Sequence, residues 1–280
     1  MAGPTLRRRQ LGLELRRLRN AAGVTREAAA VEIACSITKI THLESGRNSP
    51  RRAELTVLLQ LYGVSAEQHA ALEELRRQAS QRAWWSNARL PEWLAAYVGL
   101  EADAASLRSF SLELIPDLLQ TQDYVREVNV LGGYMMAPDE LDRQVATCMQ
   151  RQHRLTGSQP LRLSAVVSEA ALRRCANHPA IASGQLEHLR TQACLPNVEL
   201  RVLPFSAGLH QSMLGPLSLL SFLDGVLPDV AYQEYAGGGY LTDDRMTVAR
   251  FDGLFAALRD RALGVDESLA VIAELLTTTT

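Results

Sequence analysis

The chain has 280 residues, 47% of them hydrophobic and 21% charged, with a formal net charge of −2. That length predicts two domains with at least one sizeable core, and the composition is that of an ordinary globular protein. No apolar run approaches the ~18–20 residues of a membrane span, and no apolar signal-peptide core follows the basic start Met1–Arg9, so no membrane association and a cytoplasmic location are expected.

Charge is unevenly spread. Residues 1–65 carry eleven Lys and Arg against five Asp and Glu, a balance of +6, while the remainder carries −8. A basic head on an acidic body suits a first domain that meets phosphate. Solvated helix faces are the plainer alternative, less comfortable with six arginines between Arg7 and Arg19.

In chain order, Leu11, Leu15, Leu18 and Ala22 recur at helical spacing and predict one apolar face, closed by Gly23. Thr25 caps a second short helix, TREAAAVEI, whose alanines permit close approach. Ser36 caps a third, ITKITHLESG, with Ile40 and Leu43 inward and Gly46 as its stop. A fourth, Arg51 to Tyr62, turns Leu55, Leu58, Leu59 and Tyr62 inward. Three short helices and a fourth within about 55 residues describe a helix-turn-helix.

The stretch from Leu11 to Pro50 resembles the XRE (phage-repressor-like) helix-turn-helix family, through Gly23–Val24–Thr25, Ser36, Lys39–Ile40, Leu43–Glu44, Gly46 and Pro50. The resemblance implies that the third helix lies in the major groove of double-stranded DNA and reads bases with Ile37, Thr38, Lys39, Thr41 and His42. It assigns phosphate contacts to Thr25, Arg26, Ser36, Arg47, Arg51 and Arg52, which set register and carry little sequence information. It also implies an ion pair between Arg19 and Glu44. One position departs from the pattern: Ala34 stands where the family's turn usually has glycine, at a cost of about 1–2 kcal/mol if its backbone is left-handed.

Residues 65–80 continue as helix with Leu72 and Leu75 inward, and Trp84, Trp85 and Trp93 follow within ten residues. Such a cluster packs a core or junction, or cages a ligand. The expected division is a helix-turn-helix domain over 1–80, an aromatic-rich junction over 81–105 and a regulatory or partner-binding domain over 106–280. In that last part helices are predicted near 101–110, 121–131, 138–155, 168–176, 180–194, 243–263 and 266–277, with strands at 161–167, 198–204, 215–222 and 228–235. The fold class is therefore an all-α head and a larger α+β domain with one small mixed sheet of about four or five strands.

The second part resembles the WhiJ-like regulators of actinomycetes, through ELIPDLLQTQDYVR, VVSEAALRRC, QLEHL, PNVELRVLPFSAGLH and YQEY in that order. That likeness implies transcriptional control of development and antibiotic production, and a small partner protein encoded nearby, in an antitoxin-like arrangement. Nucleophile, zinc-protease and phosphate-loop patterns are missing, so catalysis, metal and cofactor are not expected. Cys35, Cys148, Cys175 and Cys194 make no metal-type spacing and are expected to be reduced thiols. Tyr124, Glu169, His210, Glu234 and Tyr235 are the candidate pocket residues, although the same groups also suit loop capping and strand edges. Three readings follow: a homodimeric regulator on a palindromic site, a module that neutralises a small protein, and a sensor of a small-molecule effector.

Overall fold

The computed structural model describes residues 3–81, 84–131, 137–223 and 227–278. Arg82 and Ala83, in the expected junction, lie outside the described residues. The chain divides into two compact units, the break falling after Asp103, with Leu227 grouped in the first.

The first unit is helical: α1 (Pro4–Ala21), α2 (Arg26–Glu32), α3 (Ile37–Glu44), α4 (Arg52–Leu61), α5 (Ala66–Ala79) and α6 (Glu92–Glu101). Its core joins Leu11, Leu15 and Leu18 of α1 to Ala29 and Ala30, Ile40 and Leu43, Leu55, Leu58 and Leu59, Tyr62 and Leu72. Each buried leucine contributes roughly 1.5–3 kcal/mol of transfer free energy. Ala22, expected inward, is exposed at the C-cap of α1, where the chain has already left the apolar stripe.

Three of these helices end in the same way. After α1, the N–H groups of Gly23 and Val24 bond back to Asn20 and Arg19; after α4, those of Gly63 and Val64 bond back to Gln60 and Leu59. After α2, Ala34 and Cys35 do the same to Val31 and Ala30. This pattern needs a left-handed residue just past the cap. Glycine supplies it twice, with φ +67° at Gly23 and +69° at Gly63, whereas Ala34 adopts φ 49°. Ala34→Gly is accordingly expected to stabilise the unit by ~1 kcal/mol; thermal denaturation measures it, and an unchanged or lower Tm counts against the account.

Trp85 is buried and meets Trp84 edge-on at 5.5 Å. α6 lies against the start of α1. A Cβ at Gly99 would come within 2.2 Å of the Thr5 hydroxyl, and the Gly3 amide donates to Asp103 Oδ1 at 2.6 Å. Only glycine permits that approach.

The second unit is α+β, with one mixed sheet of six strands in the order β3-β2-β1-β4-β5-β6. The strands are β1 (Ser106–Ser111), β2 (Arg162–Ser168), β3 (Val198–Leu203), β4 (Leu217–Ser221), β5 (Val230–Tyr235) and β6 (Gly238–Thr242). β1, β2 and β3 run parallel; β4, β5 and β6 follow as an antiparallel meander. Helices α7 (Gln122–Leu131), α8 (Pro138–Gln152), α9 (Glu169–Ala176), α10 (Ala182–Ala193), α11 (Arg245–Arg261) and α12 (Val265–Thr278) complete it. Phe110, Val166, Leu219 and Ala231 form one sheet face against Phe255 and Leu258 of α11. The PDLLQT stretch is pinned by fully buried Gln185, which accepts from the Thr121 amide and donates to the Leu119 carbonyl, both at 2.7 Å.

Two expectations are corrected. Residues 101–110 are not a helix: α6 ends at Glu101 and β1 begins at Ser106. The strand was hidden by Ser106, Arg108, Ser109 and Ser111; Arg108 satisfies its charge on Asp252 of α11 and Asp229, so a central strand tolerates a cation. The sheet also gains β6, whose glycines read as turn; only Gly237, at φ +83°, belongs to the turn itself.

Candidate nucleic-acid interface

α3 is opened by Ser36, whose hydroxyl accepts from the Lys39 amide at 3.2 Å, and α2 by Thr25, which accepts from the Ala28 amide at 3.1 Å. Both hydroxyls satisfy helix-start donors while remaining on exposed residues. α3 buries Ile40, Leu43 and Glu44. Its other side leaves Ile37, Thr38 and Thr41 exposed, with Lys39 and His42 half-buried. These positions form adjacent i, i+4 rows, so Ile37 and Thr41 lie beside Thr38 and His42.

Polar geometry divides the predicted contacts. Arg47 Nη1 stands 3.2 Å from His42 Nε2. Arginine is an obligate donor, so in this contact the His42 ring nitrogen is the acceptor. Arg47, Arg51 and Arg52 are exposed on the segment after α3 and the start of α4. Their acid neighbours, Glu92 at 3.5 Å from Arg47 and Glu73 at 3.6 Å from Arg52, form surface pairs of little strength.

Lys39 and Arg26 are engaged within the domain. Lys39 Nζ is tied to Glu54 of α4. Arg26 Nε donates to Glu44 Oε2 at 2.9 Å. Glu44 is also bonded by Arg19 Nε, and Arg19 Nη1 reaches the Val24 carbonyl at 2.8 Å. One buried carboxylate thus receives guanidinium groups from α1 and α2 at the foot of α3. Burial alone pushes the Glu44 carboxyl up, but the hydrogen bonds and charges of Arg19 and Arg26 outweigh it and hold the group below its ordinary range.

Sequence reasoning missed Glu54 and Gly12. Glu54 accepts the Arg51 amide at 2.9 Å and holds Lys39; its place three residues after the cap of α4 is the capping-box spacing, which was the available signal. Gly12 seats the end of α3: an added Cβ would lie 2.5 Å from the Leu43 carbonyl oxygen and 2.7 Å from that of Glu44.

Among the described residues, no hydrogen bond links the five candidate pocket residues of the second unit to one another. Tyr124 is buried and its hydroxyl accepts from the Ile115 amide at 3.0 Å. Glu169 accepts from the Phe205 amide and from Arg173, both at 2.7 Å. His210 packs edge-on against Phe110 at 5.5 Å, and burial, then the Arg261 charge, lowers its imidazole pKa. Tyr235 and Glu234 share the end of β5, but neighbouring strand residues point to opposite faces. Tyr235 is on the face covered by α11; Glu234 is on the other, near Asp117 and Arg151, which pair at 2.9 Å. The Glu234 residue stays open to water, yet crowding around its carboxyl, then the negative charge of Asp117, pushes it up to about 7 against the pull of Tyr232 and Arg151.

The fold and this surface define a class: a helix-turn-helix domain followed by an α+β domain. Residues 10–72 match the family described as helix-turn-helix domain, and residues 94–274 match the domain of unknown function DUF5753. That match spans well over half of the chain, and the protein belongs to the DUF5753 family. The match begins inside α6, a helix of the first unit. No curated protein and no solved structure matches the chain. Among the described residues, no helix is long and apolar enough to cross a membrane.

Proposed function

We propose that the protein is a sequence-specific DNA-binding transcriptional regulator of XRE type, with a WhiJ-like second domain, acting as a dimer on a palindromic operator. The observation that carries this reading is the exposed row Ile37, Thr38 and Thr41 on a capped helix, bordered by exposed Arg47, Arg51 and Arg52. Thr38 and His42 offer hydrogen bonds to base edges, and the Ile37 and Thr41 methyl groups suit thymine methyls. The arginines neutralise phosphates and release counterions. The second domain modulates this binding through a small partner protein or a small-molecule effector, and the protein acts by binding rather than catalysis.

The test uses a duplex selected by the purified protein from a random-sequence pool. Replacing Arg47, Arg51 and Arg52 by alanine should lower the slope of log affinity against log salt by about 5 for the dimer, at ~0.9 per phosphate contact and three such contacts on each chain. Thr38→Ala should instead change which duplexes are selected. An unchanged salt slope and an unchanged selected sequence would overturn the proposal.

A further inference from the structure

The two edges of the six-stranded sheet are treated differently. At the β3 edge, the backbone of Val202 is fully engaged: its N–H donates to Ser268 Oγ at 2.9 Å and its carbonyl accepts from the Leu263 amide at 2.9 Å. Ser268 is fully buried at the start of α12, so helix and loop close that edge. The other edge is β6, which ends the strand order and pairs with β5 alone within the sheet. Its sequence, Gly-Gly-Tyr-Leu-Thr, contains no lysine, proline or acid, although an edge strand without such a residue is a template for another strand.

Three large side chains beside that edge are open. Tyr240 is 50% exposed, Tyr235 60% and Met246, at the start of α11, 83%. Tyrosine and methionine are the residue types enriched in protein–protein contacts.

We propose that β6 is the dimerisation edge, two copies pairing their β6 strands antiparallel about a two-fold axis at Tyr240 so that their sheets become one. The inference rests on the dimeric reading above and names its surface. Several features select a second copy as the occupant. Antiparallel pairing of a strand with itself is isologous and closes after two chains. The β5–β6 hairpin has a two-residue turn between Tyr235 and Gly238. The alternation of an antiparallel ladder then turns the N–H and C=O of Gly239 and Leu241 outward. A register centred on Tyr240 sets Gly239 of one copy opposite Leu241 of the other, so that the outward groups meet one another. The paired strands then run from Gly238 to Thr242, with no charged residue among them, so no like charges face each other within the ladder.

Tyr240 then faces its own copy in a non-hydrogen-bonded pair, where side chains stand closest. Multi-angle light scattering without DNA reads the result. The unaltered chain should show twice the chain mass, and Tyr240→Lys, which sets two ammonium groups together on an exposed position, should show the single mass at the same concentration with an unchanged circular dichroism spectrum. In a Cys35→Ser, Cys194→Ser background, Tyr240→Cys should become a covalent dimer under mild oxidation. A single mass for the unaltered chain, a double mass for Tyr240→Lys, or no covalent dimer from Tyr240→Cys each overturns the proposal. DNA affinity, measured separately on a single half-site, reports on the regulator reading alone: a monomeric Tyr240→Lys chain should still bind a half-site, and loss of that binding in every form would remove the regulator reading instead.

Discussion

Glu44→Ala is expected to destabilise the first unit by about 3–5 kcal/mol, because it leaves a buried guanidinium without its counter-charge. Arg19 and Glu44 are both buried, and Arg26 joins them from α2. Chemical denaturation of the whole chain, followed through the helical signal, measures the loss; a change below about 1 kcal/mol would reduce the site to an ordinary surface pair. The same site sets a pH dependence. The folded carboxyl lies below its ordinary value of 4.5. Its stabilisation is therefore complete above the unfolded value and drains away as pH falls through the folded one. Between pH 5 and 3 the unaltered protein should lose stability that the Glu44→Ala variant no longer has to lose.

Gly12→Ala is the second large effect, expected to cost up to about 3 kcal/mol. The added methyl would meet the carbonyl oxygens of Leu43 and Glu44 and the Gly46 amide at 2.8 Å or less. These are backbone atoms, which cannot swing aside as a flexible side chain does. The end of α3 has to shift away from α1, so DNA affinity should fall further than the stability loss alone accounts for. Comparing affinity at a temperature where the variant is fully folded separates the two effects. A variant with native stability and native affinity would show that the helices are not held in contact at this point.

The first five helices were legible because most of their boundaries are written in local chemistry. Ser36 and Thr25 cap, Gly23 and Gly46 stop, and the leucines repeat at helical spacing. The second unit was legible where strands alternate, as in Val198–Leu203, and illegible where tertiary partners excuse polar residues. β1 carries Arg108 inside a sheet because Asp252 meets it from a helix far away in sequence. At the interface, the sequence supplied the residues of α3 but not their internal engagements. Lys39 has the right address for DNA, yet its ammonium is held by Glu54, and Arg26 is held by Glu44. Such pairings are set by distance in space, which residue spacing alone does not give. Glu234 and Tyr235 part for a related reason: neighbours on a strand sit on opposite sides of a sheet.

The contact of Gly99 with Thr5 has a mechanical meaning. The helix that opens the DUF5753 match leans on the first turn of α1, and two turns further along α1 supports α3 at Gly12. Residues 92–101 and α3 therefore rest on one and the same helix, with no loop between the two contacts.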